Sequence, residues 1–197
     1  MVILGNWRNR SLTLSIKPNC LTISLQQDDG AEVYSYDLAG RLWTAMLRGV
    51  SYRRGLDGKV VAKWAATPDS RERRWLPAAD TRTLEEQARS TAENLAQAIS
   101  AGNASLSGTL DEQARRMFAS AASFDVGKYA ADVAGYHRVY RPVGILPPDQ
   151  YMAVVLQATE GCSFNTCTFC TFYRDRPFRI KTPEAFREHV RGVVAFL

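Results

Sequence analysis

Leu12, Leu14 and Ile16 alternate with polar residues, and so do Leu21, Ile23 and Leu25. A period of two marks a strand with one buried face. Pro18-Asn19 between the two runs is turn chemistry, and Asp28-Asp29-Gly30 is a stronger turn signal. Val33, Ser35 and Asp37 then alternate with Glu32, Tyr34 and Tyr36, which predicts a third strand. The run 41–48 fits two patterns. Leu42, Ala45 and Met46 suit a helix, whereas Trp43 and Thr44 suit a strand. Gly40 and Gly49 bracket it closely, so a strand is expected. Leu56-Asp57-Gly58 turns again, and 59–64 reads as a last strand. Such strands package naturally as a small antiparallel sheet.

From Thr81 the period changes. Leu84, Ala88, Ala92, Leu95 and Ile99 recur at helical spacing. Thr81 or Thr83 can cap, Glu85 and Glu86 sit in the first turn, and Gly102 closes the helix. A second helix starts near Thr109, with Leu110, Ala114, Met117, Phe118 and Ala121 on its apolar face. The two make a helical hairpin. Arg141-Pro142 and Pro147-Pro148 force extended backbone in a connector. Then 151–157 is almost continuously apolar, as a strand buried on both faces would be. Thr182 followed by Pro183 and Glu184 opens a last helix, striped by Phe186, Val190, Val193, Val194 and Leu197. The expected organisation is α+β. It comprises a small β domain over 1–78, a helical hairpin over 79–124, a proline-containing connector over 125–149, and one βα unit over 150–197.

Composition adds bounds. A hydrophobic content of 46% supports a packed core. No apolar run is long enough to cross a bilayer, and the apolar start Met1–Leu4 is too short for a secretory signal. A cytoplasmic chain with no membrane partner is expected. The net charge is +5, with arginines grouped as Arg71, Arg73 and Arg74 and as Arg174, Arg176 and Arg179. Such groups read first as solvated faces and second as patches for an anionic substrate or nucleic acid. No nucleic-acid motif accompanies them. Trp7, Trp43, Trp64 and Trp75 read as core or anchoring residues rather than stacking platforms.

The chemistry concentrates in Gly161-Cys162-Ser163-Phe164-Asn165-Thr166-Cys167-Thr168-Phe169-Cys170. In a reducing compartment, clustered thiols mean metal or catalysis. Two intervening residues let a pair of thiolates converge on one centre, as in zinc sites and iron–sulfur clusters. Plant-type ferredoxins share the opening spacing but need a fourth cysteine further on. No cysteine follows Cys170, and Cys20 lies far upstream, where it reads as a small apolar core residue. Three thiolates on a [4Fe–4S] cluster leave one iron without a protein ligand. A structural zinc site would need a fourth ligand, for which His137, His189 and Cys20 are the candidates. The neighbours Arg187 and Glu188 place His189 at an exposed or boundary position.

With Phe169 just before the last cysteine, Cys162, Cys167 and Cys170 resemble the cluster loop of the radical S-adenosylmethionine (radical SAM) superfamily. The commonest family loop has three residues and then two between its cysteines; here the first gap is one residue longer. The strings Tyr140-Arg141-Pro142-Val143-Gly144-Ile145-Leu146-Pro147-Pro148 and Arg174-Asp175-Arg176-Pro177-Phe178-Arg179 resemble a little-characterised bacterial branch. The resemblance spans 140–197.

The resemblance implies a radical SAM iron–sulfur enzyme. Cys162, Cys167 and Cys170 would ligate three irons of a [4Fe–4S] cluster, and S-adenosyl-L-methionine would chelate the fourth. An electron from a donor such as a flavodoxin or ferredoxin would release a 5′-deoxyadenosyl radical, which abstracts hydrogen from a substrate the sequence does not name. Phe169 matches the family residue whose backbone meets the adenine, and Tyr173 is a further cofactor-binding candidate. Arg174, Arg176 and Arg179 would offset cluster charge or hold a carboxylate. The segment 150–197 would be the first βα unit of an incomplete (β/α) partial barrel, so the chain is expected to be inactive alone, either as an N-terminal fragment, the favoured reading, or as one part of a barrel completed by another chain. Two other readings stand beside this one: a structural zinc or non-catalytic iron–sulfur module, and an interaction module.

Overall fold

The computed structural model describes residues 1–27, 30–144 and 153–197. The expected turn residues Asp28-Asp29, the pair Pro147-Pro148 and the strand residues Tyr151-Met152 lie outside the described residues. The chain divides into two compact units, Met1–Asp132 and Val133–Leu197.

In the first unit, nine strands among the described residues form one antiparallel sheet. They are β1 (Val2–Trp7), β2 (Arg10–Lys17), β3 (Cys20–Gln27), β4 (Gly30–Asp37), β5 (Leu42–Leu47), β6 (Val50–Arg54), β7 (Val60–Thr67), β8 (Ser70–Trp75) and β9 (Ala104–Leu106). The first eight follow one another as a meander, and β9 returns to pair with β1. One row of register partners crosses the core face: Ile3, Leu14, Ile23, Tyr34, Ala45, Tyr52 and Ala62. The period-two pattern puts all of them on one side, the side that packs on the core, and leaves the other facing solvent.

Two helices cover the buried face. α1 (Ala78–Ser100) turns Leu84, Ala88, Ala92 and Leu95 inward, and α2 (Glu112–Ser123) adds Ala114, Met117, Phe118 and Ala121. Ala88 and Ala92 are small, which lets α1 approach the sheet closely. There the Tyr36 hydroxyl donates to the Ala88 carbonyl at 2.7 Å. α1 begins three residues before the expected Thr81, with Pro77 at its cap; Thr81 is buried and Thr83 bonds back to the Ala79 carbonyl. Its end is a Schellman turn, with Asn103 N–H on the Ala98 carbonyl and Gly102 N–H on that of Ile99. Asp111 caps α2 by accepting from Ala114 N–H at 2.7 Å. A third helix, α3 (Val126–Val139), occupies much of the stretch read as a connector.

A buried ionic group ties α3 to this unit. Asp132 receives Arg41 Nε at 2.8 Å and lies 3.5 Å from Arg54, which also donates to Glu85 at 2.8 Å. Arg54 stacks on the Tyr129 ring at 4.7 Å, and the Tyr129 hydroxyl accepts from Leu42 N–H.

The second unit corrects the expected βα unit. Residues 153–157 carry no strand, and Val154 and Leu156 are exposed. A strand buried on both faces requires neighbours on both edges, and the described residues supply none there. Instead β10 (Thr159–Glu160) pairs antiparallel with β11 (Arg179–Ile180). α4 (Pro183–Phe196) follows, with the Thr182 hydroxyl accepting from Ala185 N–H. Its buried residues are His189 and Val193, whereas Val194 and Leu197 face solvent. The fold is therefore a sheet-rich antiparallel assembly with four helices among the described residues. The sheet is antiparallel as expected but far larger than a small β domain, α3 adds to the helical pair, and the second unit is not the start of a radical SAM partial barrel.

Candidate metal centre

The cysteine loop hangs from a short clamp. Thr159 pairs with Ile180 and Glu160 with Arg179, so β10 and β11 bring the two ends of the loop together. Lys181 reinforces them: its backbone N–H reaches the Ala158 carbonyl at 3.0 Å, and its ammonium reaches the Gln157 carbonyl at 2.8 Å and the Glu160 carboxylate at 3.3 Å. Gly161 starts the loop at φ +76°, and a Cβ there would lie 2.7 Å from the Pro177 carbonyl oxygen. Only glycine meets both demands.

Within the loop, Asn165 has φ +35°. Asparagine is among the non-glycine residues that tolerate positive φ. Its side-chain amide donates to the Tyr173 carbonyl at 3.1 Å and to that of Arg176 at 3.5 Å, tying the middle of the loop to its exit. Arg174 donates to the Cys167 carbonyl. Arg176 donates to the Pro142 carbonyl at 3.1 Å and pairs with Asp175, whose carboxyl it lowers. Two of the three arginines are thus committed to holding backbone. Arg179, on β11, has no side-chain hydrogen bond or ion pair among the described residues.

All three thiols are half-buried and free. Backbone N–H groups of Asn165 and Phe164 lower the Cys162 thiol from its ordinary value, which favours the thiolate that metals bind. The three are not gathered around one point: among the described residues no group of three or more His, Cys, Asp or Glu side chains is placed to hold a metal ion. By residue type alone, three thiols on one loop are donors that either an iron–sulfur cluster or a zinc ion could take. Beside Cys162 opens a cleft of about 480 Å³, walled by Tyr173, Arg176, Phe178, Val155 and Pro142. Tyr173 therefore stands next to a metal-ligand candidate. Phe169 stands clear of the cleft, 89% exposed.

The histidines separate. His137 is exposed on α3. His189 is buried, against the exposed or boundary position that Arg187 and Glu188 suggest. Its Nε2 accepts from Gln157 N–H at 2.9 Å, and Val139 backbone provides a second hydrogen bond. With both ring nitrogens engaged, His189 is a poor fourth ligand for zinc and instead positions the segment that enters the clamp. Cys20, buried in β3 of the first unit, serves as a small core residue.

Burial, helped by the Lys181 charge, lowers the His189 imidazole below its ordinary 6.5. Its neutral form is the folded form, so the contribution to stability is full above 6.5 and declines as pH falls from 6.5 towards the lowered value. His189→Gln is expected to flatten that acid-side decline in thermal melts recorded between neutral and weakly acidic pH. An unchanged slope would assign the decline to other groups.

The asparagine of the loop and the lysine of the clamp are supports of the candidate site that cysteine spacing alone does not reveal. A polar residue suited to positive φ, lodged between two cysteines, is the signal for the first. No family model, curated protein or solved structure matches the chain. No helix among the described residues is long and apolar enough to cross a membrane.

Proposed function

We propose that Cys162, Cys167 and Cys170 hold a [4Fe–4S] cluster and that the chain acts as a radical SAM protein, the superfamily its cysteine loop resembles. The observation that supports this best is the state of Cys162: a thiol poised towards thiolate by two backbone N–H groups, at the entrance of a loop clamped at both ends. When bound, a cluster with one iron free of protein ligands offers S-adenosyl-L-methionine a chelation point and an electron for breaking its carbon–sulfur bond. The chain's own residues then have distinct tasks. Asn165, Arg174 and Arg176 keep the loop backbone in place. Tyr173 walls the cleft beside Cys162, and Arg179 offers a guanidinium for a carboxylate. Phe169 is presented at the surface of the loop, open to an adenine ring. The chain works in the cytoplasm, where its thiols stay reduced. It draws electrons from a flavodoxin or ferredoxin.

Anaerobic reconstitution with ferrous iron and sulfide tests the ligand set. About four irons and four sulfides per chain are expected for the unaltered protein, and Cys162→Ala, Cys167→Ala and Cys170→Ala should each fail to retain them. One tightly held zinc and no iron would overturn the proposal. So would alanine variants that load like the parent.

A further inference from the structure

The face of the sheet turned away from α1 and α2 carries a basic patch at its β6–β8 end. Register places Arg53 beside Val61, Val61 beside Trp75, Lys63 beside Arg73, and Ala65 beside Arg71. Alternation puts all of these on the side opposite the buried Ala62, and Arg53, Lys63, Arg71 and Arg73 are exposed. The acid of β8, Glu72, pairs with Trp64 on the other face, so no carboxylate of β7 or β8 faces Lys63, Arg71 and Arg73 among the described residues. No ion pair engages Lys63, Arg71 or Arg73 among the described residues. Trp75 lies two residues beyond Arg73 on the same face and is 67% exposed. That exposure sets Trp75 outside the core, and an exposed tryptophan beside cations has a ring face on which a base could stack.

Lys63 directly opposite Arg73 is a like-charge cross-strand pair, which weakens strand pairing unless an anion sits between. Edge-strand charges alone are a common guard against aggregation. That role would account for β8 but not for Lys63 and Arg53, which lie on inner strands. The cations run across three strands rather than along the open edge. A peptide added to the edge would meet only β8. A phosphate chain crossing the strands would meet all four cations and bring a base to Trp75.

We infer that this face binds single-stranded nucleic acid, with Arg53, Lys63, Arg71 and Arg73 on the phosphates and Trp75 stacked on a base. The site is independent of the cysteine loop. Fluorescence anisotropy with labelled deoxythymidine and uridine oligomers of about 12 nucleotides tests it on the full chain. Affinity should fall linearly with salt on logarithmic axes. Lys63→Glu should lower the slope by about 0.7, and Trp75→Ala should weaken binding roughly tenfold. Tighter uridine binding would assign RNA, and equal binding would assign either kind of single strand. The Lys63→Glu variant also provides a reading of opposite sign. Without nucleic acid it should unfold at higher urea than the parent, because a like-charge pair has become an ion pair. The inference is overturned by salt-insensitive or absent binding, by Lys63→Glu binding like the parent, or by Lys63→Glu unfolding earlier. Polyglutamate or anionic vesicles binding as tightly as the oligomers would overturn it too.

Discussion

Replacing Arg54 with methionine is expected to cost about 3–5 kcal/mol of folding stability, read from urea melts. Arg54 is buried, and its Nε donates to Glu85 at 2.8 Å. Burial already raises the Glu85 carboxyl above its ordinary value in spite of that partner. Methionine would leave the carboxylate desolvated and alone, and would reduce Asp132 to its bond with Arg41. The Tyr129 ring would lose the guanidinium stacked on it. The pH dependence follows with a definite sign. A carboxyl raised further in the folded state stabilises that state when protonated, so the deficit of Arg54→Met should shrink as pH falls and widen as pH rises through the raised value. Adding Glu85→Leu should restore most of the loss, because removing both partners of a buried pair is far milder than removing one. A single variant within about 1 kcal/mol of the parent would contradict this role.

Gly40→Ala should be nearly as damaging. Gly40 has φ +92° in the turn between β4 and β5, and a Cβ there would lie 2.3 Å from the backbone carbonyl of Ser120 on α2. The clash is with helix backbone, not with a side chain that can swing away. Either α2 retreats, uncovering Phe118 and Ala121, or the turn distorts. The expected cost is about 3 kcal/mol or more, which in a chain of this size lowers the melting temperature by roughly 6–12 °C. A melting temperature unchanged by calorimetry would mean that the turn and α2 do not meet as described.

These two positions also show where sequence informs and where it falls silent. β2, β3 and β4 are legible because one face is buried and the other wet, so Leu12, Leu14, Ile16, Leu21, Ile23 and Leu25 alternate cleanly. β6 hides because its inward residues are Tyr52 and the charged Arg54, which look polar until Glu85 and Asp132 are placed beside them. β8 hides because all six of its residues are exposed and no alternation survives. β9 depends on pairing with β1, almost a hundred residues earlier in the chain, which no local window detects. α3 contains Gly127 and Gly135, which weaken its helical signal; Tyr129 and Asp132 hold it through contacts to distant strands.

In the second unit the three cysteines are plain in the sequence, and their support is not. The apolar run at 151–157 suggests a central strand, but whether such a strand exists depends on neighbours that its own residues do not encode. The clamp is built instead from Glu160, Arg179 and Lys181, ordinary charged residues whose pairing becomes visible only in three dimensions. His189 follows the same logic. Charged neighbours suggest exposure, yet the segment that enters the clamp closes over it.

The most direct measurement is electron paramagnetic resonance on the full chain, reconstituted without oxygen and reduced, with and without S-adenosyl-L-methionine. The expected result is a reduced-cubane spectrum that shifts when the sulfonium compound is added, because a cluster held by Cys162, Cys167 and Cys170 alone would leave one iron without a protein ligand. A spectrum indifferent to the addition, or material that retains no iron, would contradict the claim that Cys162, Cys167 and Cys170 leave a reactive corner open.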